Sequence, residues 1–318
     1  MKSFFAALLI SIPALGFAQG ALAPTAAPGL TMKTLAQLEP RTPLAQPAAS
    51  TTGLTLSAAG TYYLTANITV STGDAIVITA DNVTLDLNGF TLSSTVATAA
   101  GYGIRLGQTS TAVKTASNAR VFNGRINAAK FAYGVAVDGA STGIILSDIS
   151  VAGASQVGIN AGTGGSEVNH CAAAGCLAGG IVADTVRDSS AIACGGIGIT
   201  ATTALRSTAS TTGAGSALKA DMATDCTGTS ASGIGVEVAK IATNCTGTGT
   251  TGTGLTAINA INCSGTGSGA GKFGINVTGT ASYSRATCPS GTALKALVAI
   301  GCSLGSGTTT ITNKYEMP

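Results

Sequence analysis

The chain has 318 residues, of which 9% are charged and 4% aromatic, and its formal net charge is +3 at pH 7. So small a charge argues against nucleic acid or an anionic lipid surface as a partner. After residue 18 no apolar run reaches the roughly 20 residues that a membrane-spanning helix requires. The 44 glycines and the many Thr residues weaken any helix, and the β-branched Val, Ile and Thr residues suit strands. The composition therefore predicts an all-β protein without a membrane span.

The N-terminus predicts a secretion signal over residues 1–18. Lys2 supplies the charged start, residues 4–15 are apolar, and Gly16-Phe17-Ala18 has the small-x-small pattern of a cleavage site. Residues 19–52 contain five prolines and predict an Ala/Pro/Thr-rich leader that could include an N-terminal cap. Residues 53–318 are predicted to form the folded domain. This organisation predicts a bacterial-type protein that is secreted, periplasmic or held at the cell surface.

Strand signals begin near residue 62. Val83, Leu85 and Leu87 alternate with polar residues, which is the period of a strand with one buried face. The dipeptide Asn88-Gly89 that follows is a strong turn signal.

A four-residue motif then repeats: Gly or Ala, an aliphatic residue, any residue, and a small aliphatic residue. Its aliphatic second positions are Ile159, Ile181, Ile199, Leu218, Val236, Leu255, Ile275 and Leu294, with looser copies at Ile104 and Val135. The repeat of 18–22 residues is too short to enclose its own core, which indicates a solenoid. We predict one right-handed parallel β-helix of about a dozen coils, in which these aliphatic side chains form a single buried column.

The opening of the predicted solenoid resembles a known family. Residues 81–92, preceded by residues 60–64, are similar to the first coils of secreted right-handed β-helix proteins of the pectate-lyase-like superfamily. Residues 32–43 resemble the leader of an uncharacterised branch of that superfamily. The resemblance implies the fold and export. It leaves the activity open, because the superfamily contains lyases, hydrolases, epimerases and noncatalytic surface proteins. The hydrolase motif Gly-His-Gly is absent and the lyase pattern is not matched, so no catalytic role is carried over.

Two columns of cysteines are predicted inside the coils. The first contains Cys171, Ser189, Thr208, Cys226, Cys245, Cys263 and Cys302, and the second contains Cys176 and Cys194. Export would permit disulfides. Stacked side chains point in parallel directions, however, and we therefore favour buried free thiols. No cysteine or histidine spacing suggests a metal site, and we predict no metal and no cofactor.

Polar residues precede the first cysteine column and predict a hydrogen-bonded edge. They are His170, Asp188, Ser207, Asp225, Asn244 and Asn262. The pair Asp184 and Asp188 recurs two coils later as Asp221 and Asp225, with Arg187 and Arg206 between them.

This acidic edge supports two interpretations. Carboxylates about 9–10 Å apart could serve an inverting glycosidase, and acids holding calcium could serve a lyase that acts on an acidic polysaccharide. We favour an exposed structural edge without a cleft, because the short coils leave no long loops to wall a groove.

A Thr-x-Thr pattern repeats at steps of 19 and 18 residues. Its members are Thr227, Thr229, Thr246, Thr248, Ser264 and Thr266. The glycine between each pair favours a corner turn, and the alternative is a flat row of hydroxyls that binds a surface. Our leading hypothesis is an exported noncatalytic β-helix that presents a flat polar face to polysaccharide or another cell-surface component. The alternatives are a polysaccharide lyase or glycoside hydrolase and, more distantly, a crystal-surface binder of the ice-binding kind.

Overall fold

The computed structural model describes residues 39–46, 52–109 and 113–317. These residues form 31 strands and no helix, and hence no helix that could cross a membrane. The strands pair in parallel and wind into a right-handed parallel β-helix of about 14 turns. The predicted fold class is confirmed, with slightly more turns than the expected dozen.

The strands are short, and some continue around a bend into the next face of the solenoid. In chain order they are β1 (Thr42–Leu44), β2 (Leu54–Leu56), β3 (Gly60–Leu64), β4 (Ile68–Val70), β5 (Ile76–Ile78), β6 (Val83–Asp86), β7 (Thr91–Ser94), β8 (Tyr102–Leu106), β9 (Arg120–Asn127), β10 (Tyr133–Val137), β11 (Ile145–Ala152), β12 (Val157–Asn160), β13 (Glu167–Asn169), β14 (Ala172–Ala174), β15 (Gly179–Arg187), β16 (Ser190–Cys194), β17 (Ile197–Leu205), β18 (Thr208–Thr211), β19 (Leu218–Thr224), β20 (Thr227–Ser230), β21 (Ile234–Thr243), β22 (Thr246–Gly249), β23 (Thr253–Ala257), β24 (Asn259–Ile261), β25 (Ser264–Thr266), β26 (Phe273–Val277), β27 (Thr280–Ser282), β28 (Arg285–Thr287), β29 (Thr292–Ile300), β30 (Ser303–Leu304) and β31 (Thr308–Tyr315).

Strand pairing divides each coil into three faces. Sheet 1 runs through β2, β5, β8, β10 and β12, the first parts of β15, β17, β19 and β21, then β23, β26 and the first parts of β29 and β31. Sheet 2 runs through β1, β3, β6, the first parts of β9 and β11, β13, the last parts of β15, β17, β19 and β21, then β24, β27 and the last parts of β29 and β31. Sheet 3 runs through β4, β7, the last parts of β9 and β11, then β14, β16, β18, β20, β22, β25, β28 and β30. The chain passes from sheet 1 through a bend to sheet 2, around a sharp corner to sheet 3, and through a loop to the next coil.

The predicted inward column lies in sheet 1. Each of its eight aliphatic residues is 0% exposed. Each pairs with the next in direct register, as Ile181 does with Ile199 and Ile199 with Leu218. This prediction is confirmed, because aliphatic residues at a constant coil position can all be removed from water only if they stack.

The corner between sheets 2 and 3 places one residue per coil in the left-handed region. Those with positive φ include Asn123, Asp148, His170, Asp188, Arg206, Asp225, Asn244, Asn262, Tyr283 and Gly301. Asn and Asp tolerate this conformation because their short side chains bond locally. The predicted polar column therefore exists, but Arg206 occupies the place assigned to Ser207. Since Leu205 pairs with Arg187, the residue after each of them forms the corner.

The residue after each left-handed position turns into the core. From the coil of His170 onward this column contains Cys171, Ser189, Ser207, Cys226, Cys245, Cys263, Ser284 and Cys302, so Ser207 replaces the predicted Thr208. Each hydroxyl or thiol donates to the carbonyl two residues earlier, at 2.7–2.9 Å from serine and 3.2–3.5 Å from cysteine. All eight cysteines lie in the described part of the chain and are buried and free. Burial raises the pKa of the Cys171 thiol to about 11.

The inward residues of sheet 3 become smaller from the early coils to β20, β22 and β25, where they are glycine, and the column returns to alanine at Ala286. In register order it contains Ile68, Leu92, Ile126, Val151, Ala173, Ala191, Ala209, Gly228, Gly247, Gly265 and Ala286. A Cβ atom added to Gly247 would lie 2.2 Å from the carbonyl oxygen of Gly254 in sheet 1. In these later coils the backbone of sheet 1 therefore lies too close for a side chain at the glycine positions of sheet 3, and the side chains between the two sheets come from sheet 1.

The predicted N-terminal organisation falls mostly outside the described residues. The secretion signal over residues 1–18 lies wholly outside them, as does most of the leader. The solenoid nevertheless includes part of the segment predicted as leader, because Thr42–Leu44 pairs with Tyr62–Leu64.

Candidate functional site

The four candidate carboxylates form two separate lines. Asp184 and Asp221 lie at the bend between sheets 1 and 2, with Thr202 between them in register. Asp188 and Asp225 lie at the corner between sheets 2 and 3, with Arg206 between them. Each pair thus spans two coils, as the repeat predicts. The two lines flank sheet 2 on opposite edges and form no single cluster of four acids.

Asp184 anchors a loop. Its Oδ2 accepts hydrogen bonds from the backbone N–H groups of Gly164, Gly165 and Ser166, at 2.6, 2.7 and 3.0 Å. Desolvation acts to raise the pKa of Asp184, but these hydrogen bonds outweigh it and lower the pKa below its usual value. The carboxylate is therefore held ionised by the loop that it organises.

The corner line is a chain of polar contacts. Asp188 accepts two hydrogen bonds of 2.7 Å from the guanidinium of Arg206, whose charge and hydrogen bonds lower the pKa of Asp188. In the next coils Asn244 donates to Asp225 at 3.0 Å, and Asn262 donates to Asn244 at 2.9 Å. The carboxylates at this corner are thus engaged by neighbouring coils.

Arg187 and Arg206 were expected to be neighbours, and they lie in adjacent coils but in different columns. Arg187 is in register with Leu205 on sheet 2, whereas Arg206 is the next residue along, at the corner. The Nε of Arg187 lies 3.7 Å from Glu167. Each guanidinium therefore has its own carboxylate.

A shallow groove of about 430 Å³ follows the bend between sheets 1 and 2 over the later coils. Its polar lining includes Lys219, Asp221, Glu237 and Asn276. Lys219 lies 3.3 Å from Glu237, and Lys240 lies 3.0 Å from Asp221. We expected no groove at the acidic edge, and this one reaches Asp221 alone among the four candidate acids. Its acids and bases neutralise each other.

The six hydroxyl residues singled out by the Thr-x-Thr pattern lie together on the outer face of sheet 3. The register joins Thr208, Thr227, Thr246 and Ser264 in one column, and Ser210, Thr229, Thr248 and Thr266 in a second. We call these eight residues the threonine face. They are exposed or half-buried, while the residue between each pair is buried. The described outward positions of β18, β20, β22 and β25 carry no charge.

The expectation of corner turns at the Thr-Gly-Thr sequences was wrong. Gly228, Gly247 and Gly265 lie within strands β20, β22 and β25. Glycine is required there because sheet 1 is too close behind it: a Cβ on Gly228 would lie 2.0 Å from the carbonyl oxygen of Gly235. The loop after Gly249 leaves the register between β22 and β25 intact.

One cluster was missed by the sequence analysis. The rings of Tyr102 and Tyr133 stack 4.9 Å apart on adjacent coils of sheet 1. Beside them Arg105 donates through Nε to Asp138 at 2.7 Å and approaches Asp74 at 3.4 Å. The two tyrosines are 31 residues apart because of a coil insertion, which hides their pairing from a search at the regular repeat.

Within the described residues, no group of three or more His, Cys, Asp or Glu side chains is arranged to hold a metal ion. Two of the described surfaces that could bind a large ligand are the groove and the threonine face. Together with the fold, they define a parallel β-helix with an extended polar exterior.

No protein-family model and no curated protein matches this chain. Among solved structures, it is similar to the Dettilon tailspike protein (gp208), with 12% identity, 82% of this chain and 60% of that chain covered, and a TM-score of 0.41. Geobacillus virus E2 ORF18 has 11% identity, coverages of 81% and 52%, and a TM-score of 0.33. The bacteriophage CBA120 tailspike protein 2 enzymatically active domain has 13% identity, coverages of 87% and 41%, and a TM-score of 0.28. The chain spans less than two thirds of each of these proteins, and at these TM-scores the likeness assigns no activity to it.

Proposed function

We propose that this protein is an exported, noncatalytic β-helix that binds an extended polysaccharide through its threonine face. The observation that carries the proposal is the in-register pair of hydroxyl residues that recurs on four successive coils of sheet 3. Coils repeat about every 4.8 Å, and each hydroxyl can both donate and accept a hydrogen bond. A polymer lying along the solenoid axis therefore meets the same chemistry at every coil.

The affinity of such a face comes from repetition. One hydroxyl exchanging water for a sugar hydroxyl contributes only about 1 kcal/mol net. Several such contacts in register add up, while an isolated monosaccharide reaches too few of them to bind well. We therefore expect the ligand to be a polymer or an ordered surface of polymers, as at a cell surface.

The acidic residues favour this proposal over a lyase or hydrolase. A glycosidase needs one carboxyl group protonated as the acid, which requires a raised pKa. The pKa values of Asp184 and Asp188 are instead lowered by loop amides and by Arg206. Asp221 is paired with Lys240, and Asp225 accepts from Asn244. These contacts support structural roles for the four acids.

The proposal is tested by retention of the protein on a panel of insoluble polysaccharides. The test variant Thr227→Val/Thr229→Val/Thr246→Val removes three hydroxyls and keeps the side-chain shape. The matched control Thr185→Val/Thr203→Val/Thr280→Val makes the same change on sheet 2. We expect the test variant to bind at least tenfold more weakly, as three lost contacts of about 1 kcal/mol imply. Equal binding of the two variants would refute the assignment of the face.

A crystal-surface function uses the same residues and is favoured by one further observation, the uncharged regularity of the face over four coils. Measurement of ice-crystal growth in the presence of the wild type and the two variants separates the two functions. Inhibition of ice growth by the wild type, without retention on any polysaccharide, would favour the crystal surface as the ligand.

A further inference from the structure

The threonine face ends at β25, and the next coil carries exposed side chains of a different kind. Tyr283 occupies the corner position of that coil and is 63% exposed. Arg285 is the first outward residue of β28 and is also exposed. It lies in register with Ser264 of the threonine face and with Ser303 of the following coil. An aromatic ring and a guanidinium therefore adjoin the last hydroxyls of the face.

The guanidinium of Arg285 is left without a carboxylate. Arg187 and Arg206 each pair with an Asp or Glu side chain, whereas Arg285 makes no ion pair in the part of the chain that the structure describes. The only acidic residue after Glu237 in the sequence is Glu316, which lies at the corner two coils further on. An exposed guanidinium in so acid-poor a region attracts an anionic ligand.

The ring of Tyr283 is held in place by the next coil. Gly301 is the corner residue of that coil, with a φ of 56°. A Cβ atom on Gly301 would lie 2.8 and 2.9 Å from two ring carbons of Tyr283, so the ring lies directly against the glycine backbone. Because much of the ring is nevertheless exposed, it offers a preplaced apolar surface to the C–H groups of a sugar ring, at a low entropic cost.

We propose that Tyr283 and Arg285 form a subsite for an acidic sugar unit of the polysaccharide bound on the threonine face. This inference rests on the proposed function and names the class of polymer, one that carries carboxylate groups as uronic acids do. The sugar ring packs on Tyr283, and its carboxylate accepts a pair of hydrogen bonds from the planar guanidinium, a geometry that arginine offers and lysine does not. Ser264 and Ser303, in the coils on either side, offer hydroxyls to the adjoining sugar units.

The position of the subsite fits a polymer that follows the solenoid axis. Arg285 comes directly after Ser264 in the first column of the threonine face, and coils repeat about every 4.8 Å. A chain that contacts the hydroxyls of the face therefore reaches Arg285 in the next coil. Arg125 is exposed in the same column but in an early coil, outside the face, and the corner residue of its coil is Asn123. It provides a matched control.

The test compares binding of the full chain to polygalacturonate and alginate with binding to the carboxyl-reduced forms of the same polymers. At low salt we expect the wild type to bind at least one acidic polymer about tenfold more tightly than its reduced form, as a charge-assisted hydrogen-bonded pair implies. Arg285→Gln should abolish this preference. Arg125→Gln removes the same charge outside the subsite and should keep it. Tyr283→Ala should weaken binding of both forms severalfold, with unchanged circular dichroism.

The threonine-face variant Thr227→Val/Thr229→Val/Thr246→Val separates this inference from the function on which it rests. Binding that is lost in that variant but shows no preference for acidic polymers would refute the subsite and leave the proposed function standing. A preference that depends on Arg285, with binding unaffected by the threonine-face variant, would refute the role of the face and leave the subsite standing. A wild type that binds no acidic polymer, or a preference that survives Arg285→Gln, would overturn the subsite.

Discussion

The early and late coils of this solenoid differ in the size of the residues that fill the core behind sheet 3. Among the largest fully buried side chains are Leu64, Leu85, Ile126 and Phe131, all in early coils. The late coils have Gly228, Gly247 and Gly265 at the inward position of sheet 3 that Ile126 occupies earlier. The early core is thick and apolar, whereas in the late core the backbones of sheets 1 and 3 are in direct contact.

The early coils, which have the larger core, also vary more in length than the late coils. The step from Ile104 to Val135 is 31 residues, whereas the steps from Ile181 to Ile199 and Leu218 are 18 and 19. Uniform small interiors allow each late coil to copy the one before it. The threonine face lies on these regular coils, since an ordered outer surface needs a constant inner one.

The largest expected loss of stability comes from placing in a late coil the larger residue that an early coil has at the same position. Gly247→Val introduces at Gly247 the side chain that Val151 has in the same column. Its Cβ would lie 2.2 Å from the carbonyl oxygen of Gly254, so we expect a loss of more than about 4 kcal/mol of stability. Urea unfolding measures it, with the neighbouring Thr248→Val as control, expected within about 0.5 kcal/mol. A small effect of Gly247→Val would mean that the late core is not closed.

This contrast also shows what the sequence could predict. The aliphatic column from Ile159 to Leu294 was predicted because its period is constant and local. The glycines were assigned to turns because Gly and Thr are frequent there, whereas here the requirement comes from sheet 1 across the core. A local pattern carries no direct sign of such a tertiary constraint.

A smaller loss of stability is expected at the loop of Gly164 and Gly165, after which the coils become regular in length. Asp184→Asn removes the charge that accepts three backbone N–H groups. We expect a loss of about 1 kcal/mol at pH 7, since solvent screens this partly exposed site.

The pH dependence follows from the lowered pKa of Asp184. A carboxyl group whose folded pKa is lowered stabilises the protein above its unfolded pKa of about 3.9 and loses this effect as pH falls through the folded value. The difference between wild type and Asp184→Asn, measured by thermal unfolding, should therefore shrink below about pH 4. A difference that is constant from pH 7 to pH 3 would contradict the ionic role.

The smallest effect is expected in the cysteine column of the corner. Serine already occupies the position of Cys245 at Ser189, Ser207 and Ser284, where it donates to the same type of carbonyl. Cys245→Ser should therefore change stability by less than about 1 kcal/mol. Thermal unfolding under oxidising and reducing conditions checks this. A large loss seen only under oxidising conditions would reveal a disulfide in place of free thiols.

The candidate site was predictable only in part. The recurrence of Asp184 and Asp188 as Asp221 and Asp225 correctly indicated shared columns, because the coil length is constant there. It could not reveal that the loop at Gly164 and the guanidinium of Arg206 engage two of these acids. The stacked Tyr102 and Tyr133 were hidden by an irregular early coil.

The central claim is that the regular late coils bind polysaccharide without cleaving it. The most direct measurement incubates the wild type with neutral and uronic-acid polysaccharides, with and without calcium, and records both retention and the release of reducing or unsaturated sugar ends. The account predicts retention on at least one polymer, lost in the threonine-face variant, and no release above background from any of them. Turnover by the wild type that disappears in Asp188→Asn or Asp225→Asn would contradict it.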